Sequence, residues 1–234
     1  MIENVPAYVS ITFIATTFIT AAIFLRGIQR NPKATFAGKF LLFTIPFWMM
    51  FQAILAYGAF YLDTASLPPR IFVFGVLPAM ALILVYFILF RRNVIEPQPL
   101  KLLTIIHTIR IPVELVLSWL FAAGLVPEIM TFHGNNFDIL SGLSAPIVAY
   151  FAFRNGQVNT KVLAIWNIIC LLLLANIVIT AVLCIPSPIQ KLAFDQPNVA
   201  ILYFPYVWLP TVVVPIVLFC HLSSLWKLIR GKVN

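Results

Sequence analysis

Apolar residues run through this chain in long blocks, separated by short clusters of charge, proline and glycine. A helix that crosses the hydrocarbon core of a bilayer needs about 20 mostly apolar residues. Blocks of that kind cover residues 5–25, 40–62, 71–90, 102–124, 162–184 and 201–226, with a shorter one at 139–153. None has the short alternation of a membrane β-strand. The pattern predicts an all-α integral membrane protein: one domain, residues 1–234, built as a seven-transmembrane-helix bundle. Connections between spans are short. Residues 63–70 contain Pro68-Pro69 and form a turn; the longer outer segments are 125–138 and 185–200.

Composition supports the same class. The chain is 62% hydrophobic and 9% charged, where a soluble domain carries roughly a quarter charged residues. Lipid is therefore the solvent for most of its surface, and the bilayer is its first partner. The net charge of +8 matters through its placement. Arg26, Arg30, Lys33, Lys39, Arg91, Arg92, Lys101, Arg154, Lys161, Lys227, Arg230 and Lys232 fall in one set of alternate connections, and only Arg70 and Lys191 in the other. By the positive-inside rule this predicts the N-terminus outside and the C-terminus inside, which an odd number of spans satisfies. Glu3, Asp63, Glu128, Asp138 and Asp195 lie on the outer side, and Glu96 on the inner. Topology thus accounts for the charge, and no nucleic-acid partner is implied. The first block has no basic leader, carries Glu3 and precedes a basic loop. It predicts a retained helix rather than a cleaved signal peptide, in a multi-pass protein of the plasma or inner membrane.

The aromatics Tyr8, Tyr57, Tyr61, Trp119, Tyr203, Tyr206 and Trp208 gather near the outer ends, as in an interfacial belt; Trp166 and Trp226 are assigned to the inner face. Cys170, Cys184 and Cys220 sit in or beside apolar blocks without CxxC spacing, which predicts packing roles rather than a disulfide or metal cluster.

A faint internal repeat is visible. The loop 26–33 matches 154–161 at Arg26/Arg154, Gln29/Gln157, Asn31/Asn159 and Lys33/Lys161. Leu77-Pro78, Val85 and Phe87 recur as Leu209-Pro210, Val217 and Phe219. Together they suggest a 3+1+3 parallel repeat with the fourth span between the halves, a plan known among transporters. In topology alone this is similar to sugar uniporters of the SWEET type and to microbial rhodopsins. A retinal protein needs a lysine in the middle of its last helix, whereas here the last span has only Lys227, at its inner end.

The chemistry concentrates in the fourth span. The stretch HTIRIPVEL places His107, Arg110 and Glu114 in an apolar run. At 100° per residue these residues and Ser118 lie within about 80° of one face. Arg110 and Glu114, four apart, are placed to pair directly. Pro112 removes the N–H that would bond the Thr108 carbonyl, which predicts a bend. A central charge in lipid costs about 2.5–3.5 kcal/mol on insertion scales, so the stripe must face inward. His221 lies six residues before Lys227 and His107 six after Lys101, each roughly 9 Å of helix from the inner boundary. Gln52, Asn167, Asn176, Ser141 and Ser144 are further buried polar candidates.

The second constellation is the outer stretch MTFHGNNFDILSG, with His133, Asn135, Asn136 and Asp138. It reads as a turn with Asp138 capping the fifth span; the alternative is a polar plug folding into the mouth of the bundle.

These features point to binding or transport of a small anionic or amphipathic solute. Arg110, Glu114, His107, His221 and Asn176 would line the site, Arg110 taking the anionic group. Two further readings stay open: a membrane-embedded metal or haem enzyme or redox protein using His107 and His221, and a sensor or assembly subunit whose buried charges are structural. No residue is assigned to a metal, and no cofactor or oligomeric state follows from the residues. The topology has a direct check. Ser66→Cys should react with a membrane-impermeant maleimide on intact cells, and Gln157→Cys only after permeabilisation.

Overall fold

At three places in this chain a proline accompanies a change of helical pitch, because it leaves the carbonyl four residues earlier without its helical donor. The computed structural model describes residues 5–29, 36–154 and 157–232, and all regular structure among them is helical. Glu3, Arg30, Asn31 and Lys33 lie outside the described residues, as do residues 155 and 156.

In chain order, α1 is Ala7–Gln29 and α2 Phe36–Tyr57. A π turn, Phe72–Val76, leads into α3, Leu77–Leu89. Then α4 (Leu100–Ile105), a 3-10 turn (Ile106–Ile109) and α5 (Arg110–Ala122) follow one another without a gap. The set closes with α6 (Ile139–Ala152), α7 (Thr160–Leu183) and a further π turn, Leu209–Val213, leading into α8 (Val214–Ile229); a π turn also follows α3 at Arg91–Ile95. Five segments are long and apolar enough to cross a membrane: Ala7–Gln29, Gly38–Tyr57, Phe72–Leu89, Thr160–Leu183 and Leu209–Ile229. The α4–α5 stretch is divided by its change of pitch, and α6 is shorter.

The π turns that open α3 and α8 use one device twice. Pro78 frees the Phe74 carbonyl, which accepts a bond from Gln52 Nε2 at 2.8 Å. Pro215 frees the Thr211 carbonyl, which accepts one from Trp48 Nε1 at 2.9 Å. Trp48 and Gln52 are four apart and share a face of α2. The turns abut, since a β-carbon on Gly75 would stand 2.8 Å from Thr211 Cγ2. Pro78 is therefore the geometric counterpart of Pro215, whereas the sequence match aligns it with Pro210. The third change of pitch falls where Pro112 predicts a bend: the freed Thr108 carbonyl lies in the 3-10 turn.

Burial ranks the helices. In the apolar windows, 61% of Leu209–Ile229 is buried against 17% of Phe72–Leu89, so α8 is interior and α3 peripheral. α5 packs on α1 and α6, and α8 on α3, α4 and α7. On α1, Thr16, Thr17 and Thr20 bond the carbonyls one turn back, at 2.7–2.9 Å, which satisfies their hydroxyls without a partner helix. α6 turns Gly142, Ala145, Ala149 and Ala152 inward, small residues that let backbones approach in lipid. A β-carbon at Gly142 would sit 3.1 Å from the Ile111 backbone nitrogen and 3.3 Å from Arg110 Cβ.

The connections after α5 and after α7 interlock at one end of the bundle. α5 ends in a Schellman motif: Leu125 N–H bonds Leu120 O and Gly124 N–H bonds Phe121 O, both at 2.9 Å, with Gly124 at φ 76°. Gln196 Nε2 donates to Phe121 O and Val126 O, and the Val199 and Ala200 amides to Leu125 O. Part of the expected aromatic belt is consumed inside. Tyr61, Tyr206 and Trp208 are buried, bonded to Gln52 Oε1, Ser10 Oγ and Met49 O; Tyr8 and Tyr57 stay exposed. Trp166 is buried rather than at the inner face. At the other end Lys227 is also buried, its ammonium on the carbonyls of Glu96 (2.7 Å) and Gln98 (2.6 Å).

The α5–α6 approach should tolerate no bulk. Gly142→Leu is expected to lower stability by about 2 kcal/mol through overpacking, with Gly142→Ala milder, measured by unfolding in mixed micelles.

Candidate intramembrane site

Gly142 is one turn beyond Asp138, so the close α5–α6 contact brings the start of α6 to the level of Arg110. Asp138 does not cap its own helix. Its carboxylate instead takes Arg110 Nη1 at 2.6 Å, in a salt bridge that is almost wholly buried. The direct Arg110–Glu114 pair expected from their spacing does not form. Glu114 is bonded to Asn136, whose Nδ2 donates both to Glu114 Oε1 and to Met130 O, while Asn136 Oδ1 accepts from the Asp138 amide (3.1 Å). Two carboxyl groups and one guanidinium thus share one cluster, stitched by a loop asparagine.

The loop divides along its length. Asn136 and Asp138 are buried; His133 and Asn135 are exposed. Asn136 and Asp138 thus turn into the bundle with exposed Phe137 between them, while 133–135 form the turn. The turn depends on Gly134, because a β-carbon there would overlap the backbone of Glu128 and Ile129. Asn176, expected in the polar site, is exposed and donates to the Asn135 carbonyl at 2.9 Å.

On its other side Arg110 Nη2 meets His221 Nε2 at 3.0 Å. A guanidinium only donates, so this ring nitrogen must be the bare acceptor. His221 Nδ1 then carries the hydrogen and donates to Asn167 Oδ1 at 2.9 Å. The Asn167 amide is oriented by its own Nδ2, which donates to Leu163 O at 2.8 Å. The bonds therefore define His221 as a neutral imidazole. His107 does lie level with it: the rings stack with centroids 3.8 Å apart and planes 18° from parallel, and Trp166 packs edge-on against His107. The ring nitrogens of His107 have no hydrogen-bond partner among the described residues. The stack does not suit a bis-histidine metal or haem site. Both nitrogens of His221 are engaged, and 3.8 Å between ring centres leaves no room for an ion or porphyrin. No cluster of three metal-ligating side chains occurs among the described residues.

Beside the cluster lies a cavity of about 350 Å³. It is bounded by the starts of α3 and α8, by α5 and by the C-terminal half of α7, and among the described residues its polar lining is Glu114 and Asp138. Arg110 does not line it. Ile179 of α7, 59% exposed, forms part of the wall, so the cavity reaches the apolar surface beside α7. Glu114 Oε2 is buried and has no hydrogen-bond partner among the described residues.

Residues 68–229 match a family described as "Domain of unknown function (DUF8737)". The chain belongs to that family. Every member of the cluster, the histidine stack and the cavity wall lies within the matched part of this DUF8737 chain; α1 and α2 lie outside it. No curated protein and no solved structure matches the chain.

Sequence reasoning found Arg110, Glu114 and both histidines but not their partners. Asp138–Arg110 and His221–Asn167 span 28 and 54 residues. The one local hint was the shortness of the fifth block, which lets its first residue lie deep. Removing one partner of a buried ion pair costs about 3–5 kcal/mol. Arg110→Leu and Asp138→Leu should each lose about that much on SDS titration in mixed micelles, and the double variant much less than their sum.

Proposed function

We propose that this protein is a seven-span membrane protein, N-terminus outside, that binds an amphipathic molecule in the cavity between α3 and α7. The observation that carries this reading is the pairing of an apolar cavity that reaches the surface beside α7 with two carboxyl groups in its wall. Such a site suits a ligand that partitions into the bilayer, enters between two helices and leaves its head group on Glu114. Ligand pockets generally combine apolar walls with a few placed polar groups. An intramembrane ionisable residue is by default a functional candidate.

The roles expected of the stripe are redistributed. Arg110 was the expected anchor for an anionic group, but its guanidinium is turned to Asp138 and His221 and away from the cavity. This favours the amphipathic alternative over the anionic one. Arg110, Asp138, His221 and Asn167 act as a framework that fixes α5, α6, α7 and α8 together, and Glu114 is the group free to meet a ligand. A second cavity of about 230 Å³ between α2, α3 and α8 is the weaker candidate. There Thr44 bonds the Phe40 carbonyl and Trp48 the Thr211 carbonyl, so these groups serve the helices themselves.

Whether bound solute crosses the membrane is a separate step; helices with changes of pitch at Pro78, Pro112 and Pro215 suit a bundle that bends. The binding reading is checked by filling the cavity. Val178→Trp and Leu218→Trp should each weaken binding of a short-chain amphiphile at least tenfold by calorimetry in nanodiscs, with the unfolding temperature preserved. Unchanged affinity in both would defeat it.

A further inference from the structure

The ligand's charge follows from counting charges in the cluster, an inference that rests on the amphiphile-binding reading. Arg110 contributes one positive charge and Asp138 compensates it. His221 is neutral by the bonding argument above. His107, stacked on it and close to the guanidinium, has no acceptor or counter-ion among the described residues. Glu114 is then one acid too many. An uncompensated ionised carboxylate in low dielectric is penalised heavily, and its second oxygen has no donor.

The neighbouring elements do not alter the count. Besides those groups, Cys170 of α7 and Cys220 of α8 face the cluster, and both are free thiols. α1 has no ionisable side chain between Tyr8 and Arg26. Glu128, on the outer 3-10 turn, is exposed. Either a proton on Glu114 or a cation beside it makes the cluster neutral.

We infer that the two alternate: the empty site holds a proton on Glu114, and an amphiphilic cation, such as an alkylammonium, displaces it. The step balances as carboxylic acid plus cation giving carboxylate–cation pair plus one released proton. The apolar wall takes the alkyl chain and Glu114 takes the head group. No nucleophile, oxidant or metal is required. Because proton and cation compete for one carboxylate, binding of one expels the other, which is the thermodynamic basis of exchange.

The test uses the full chain in nanodiscs, with octyltrimethylammonium and 1-octanol as charged and neutral probes. Calorimetry in two buffers of different ionisation enthalpy counts protons released. The expected result is one proton per cation bound and an affinity that rises about tenfold per pH unit while Glu114 is protonated. Octanol affinity should stay flat with pH. Glu114→Gln should abolish proton release and weaken the cation at least tenfold, a larger loss than octanol shows. If both probes bind and Val178→Trp blocks both, but the cation shows no proton release, the exchange is overturned and the cavity reading stands. Release that persists in Glu114→Gln overturns the assignment to Glu114. If neither probe binds the wild type, the cavity reading itself falls. Should Glu114→Gln fail to fold, the proton count on the wild-type chain still decides.

Discussion

A guanidinium that cannot be deprotonated, held away from water, is the constraint around which this structure is arranged. Arg110 is buried, and an ion in that setting needs an opposite charge and acceptors for its remaining N–H groups. Asp138 supplies the charge, His221 one acceptor and the Cys170 carbonyl a longer contact. Those three come from the start of α6, from α8 and from α7. Meeting the needs of one side chain therefore docks three elements against α5. The neutral form of His221 and the orientation of Asn167 follow from it as well.

The same constraint shapes the loop before α6. Asp138 reaches Arg110 because Gly142 lets α6 close on α5, and because Gly134 lets the chain turn sharply enough for Asn136 to enter. Asn136 then binds Glu114 and the Asp138 amide together. A loop that resembles an ordinary polar turn is thus half surface and half interior. The consequence for function is an imbalance: Arg110 takes one carboxylate, and the second is left on the cavity wall.

Proline plays a comparable part elsewhere. Each helix-opening proline releases a carbonyl in an apolar setting, where no water satisfies it. Gln52 and Trp48 reach those carbonyls from one face of α2. This gives a purpose to a glutamine and a tryptophan that would otherwise be isolated polar groups in a membrane helix. It also explains why the π turns of α3 and α8 lie side by side.

Hydrophobicity and spacing act locally, and what they govern was legible in the chain alone. The helical class, the apolar segments, the change of pitch near Pro112, the inward-facing stripe and the matching depth of His107 and His221 all follow from residues within a few turns. Partner choice is different. Arg110 prefers Asp138, 28 residues away, to Glu114 on the next turn, because the α5–α6 contact delivers Asp138 directly to the guanidinium. Asn176 lost its expected place because helical phase alone does not say which face meets a neighbour. Tyr61, Tyr206 and Trp208 moved from belt to interior for the same reason. Tertiary packing alone decided that Glu114 borders a cavity and Arg110 does not. That decision came from where α3, α7 and α8 leave a gap, a property of three helices that no single segment encodes.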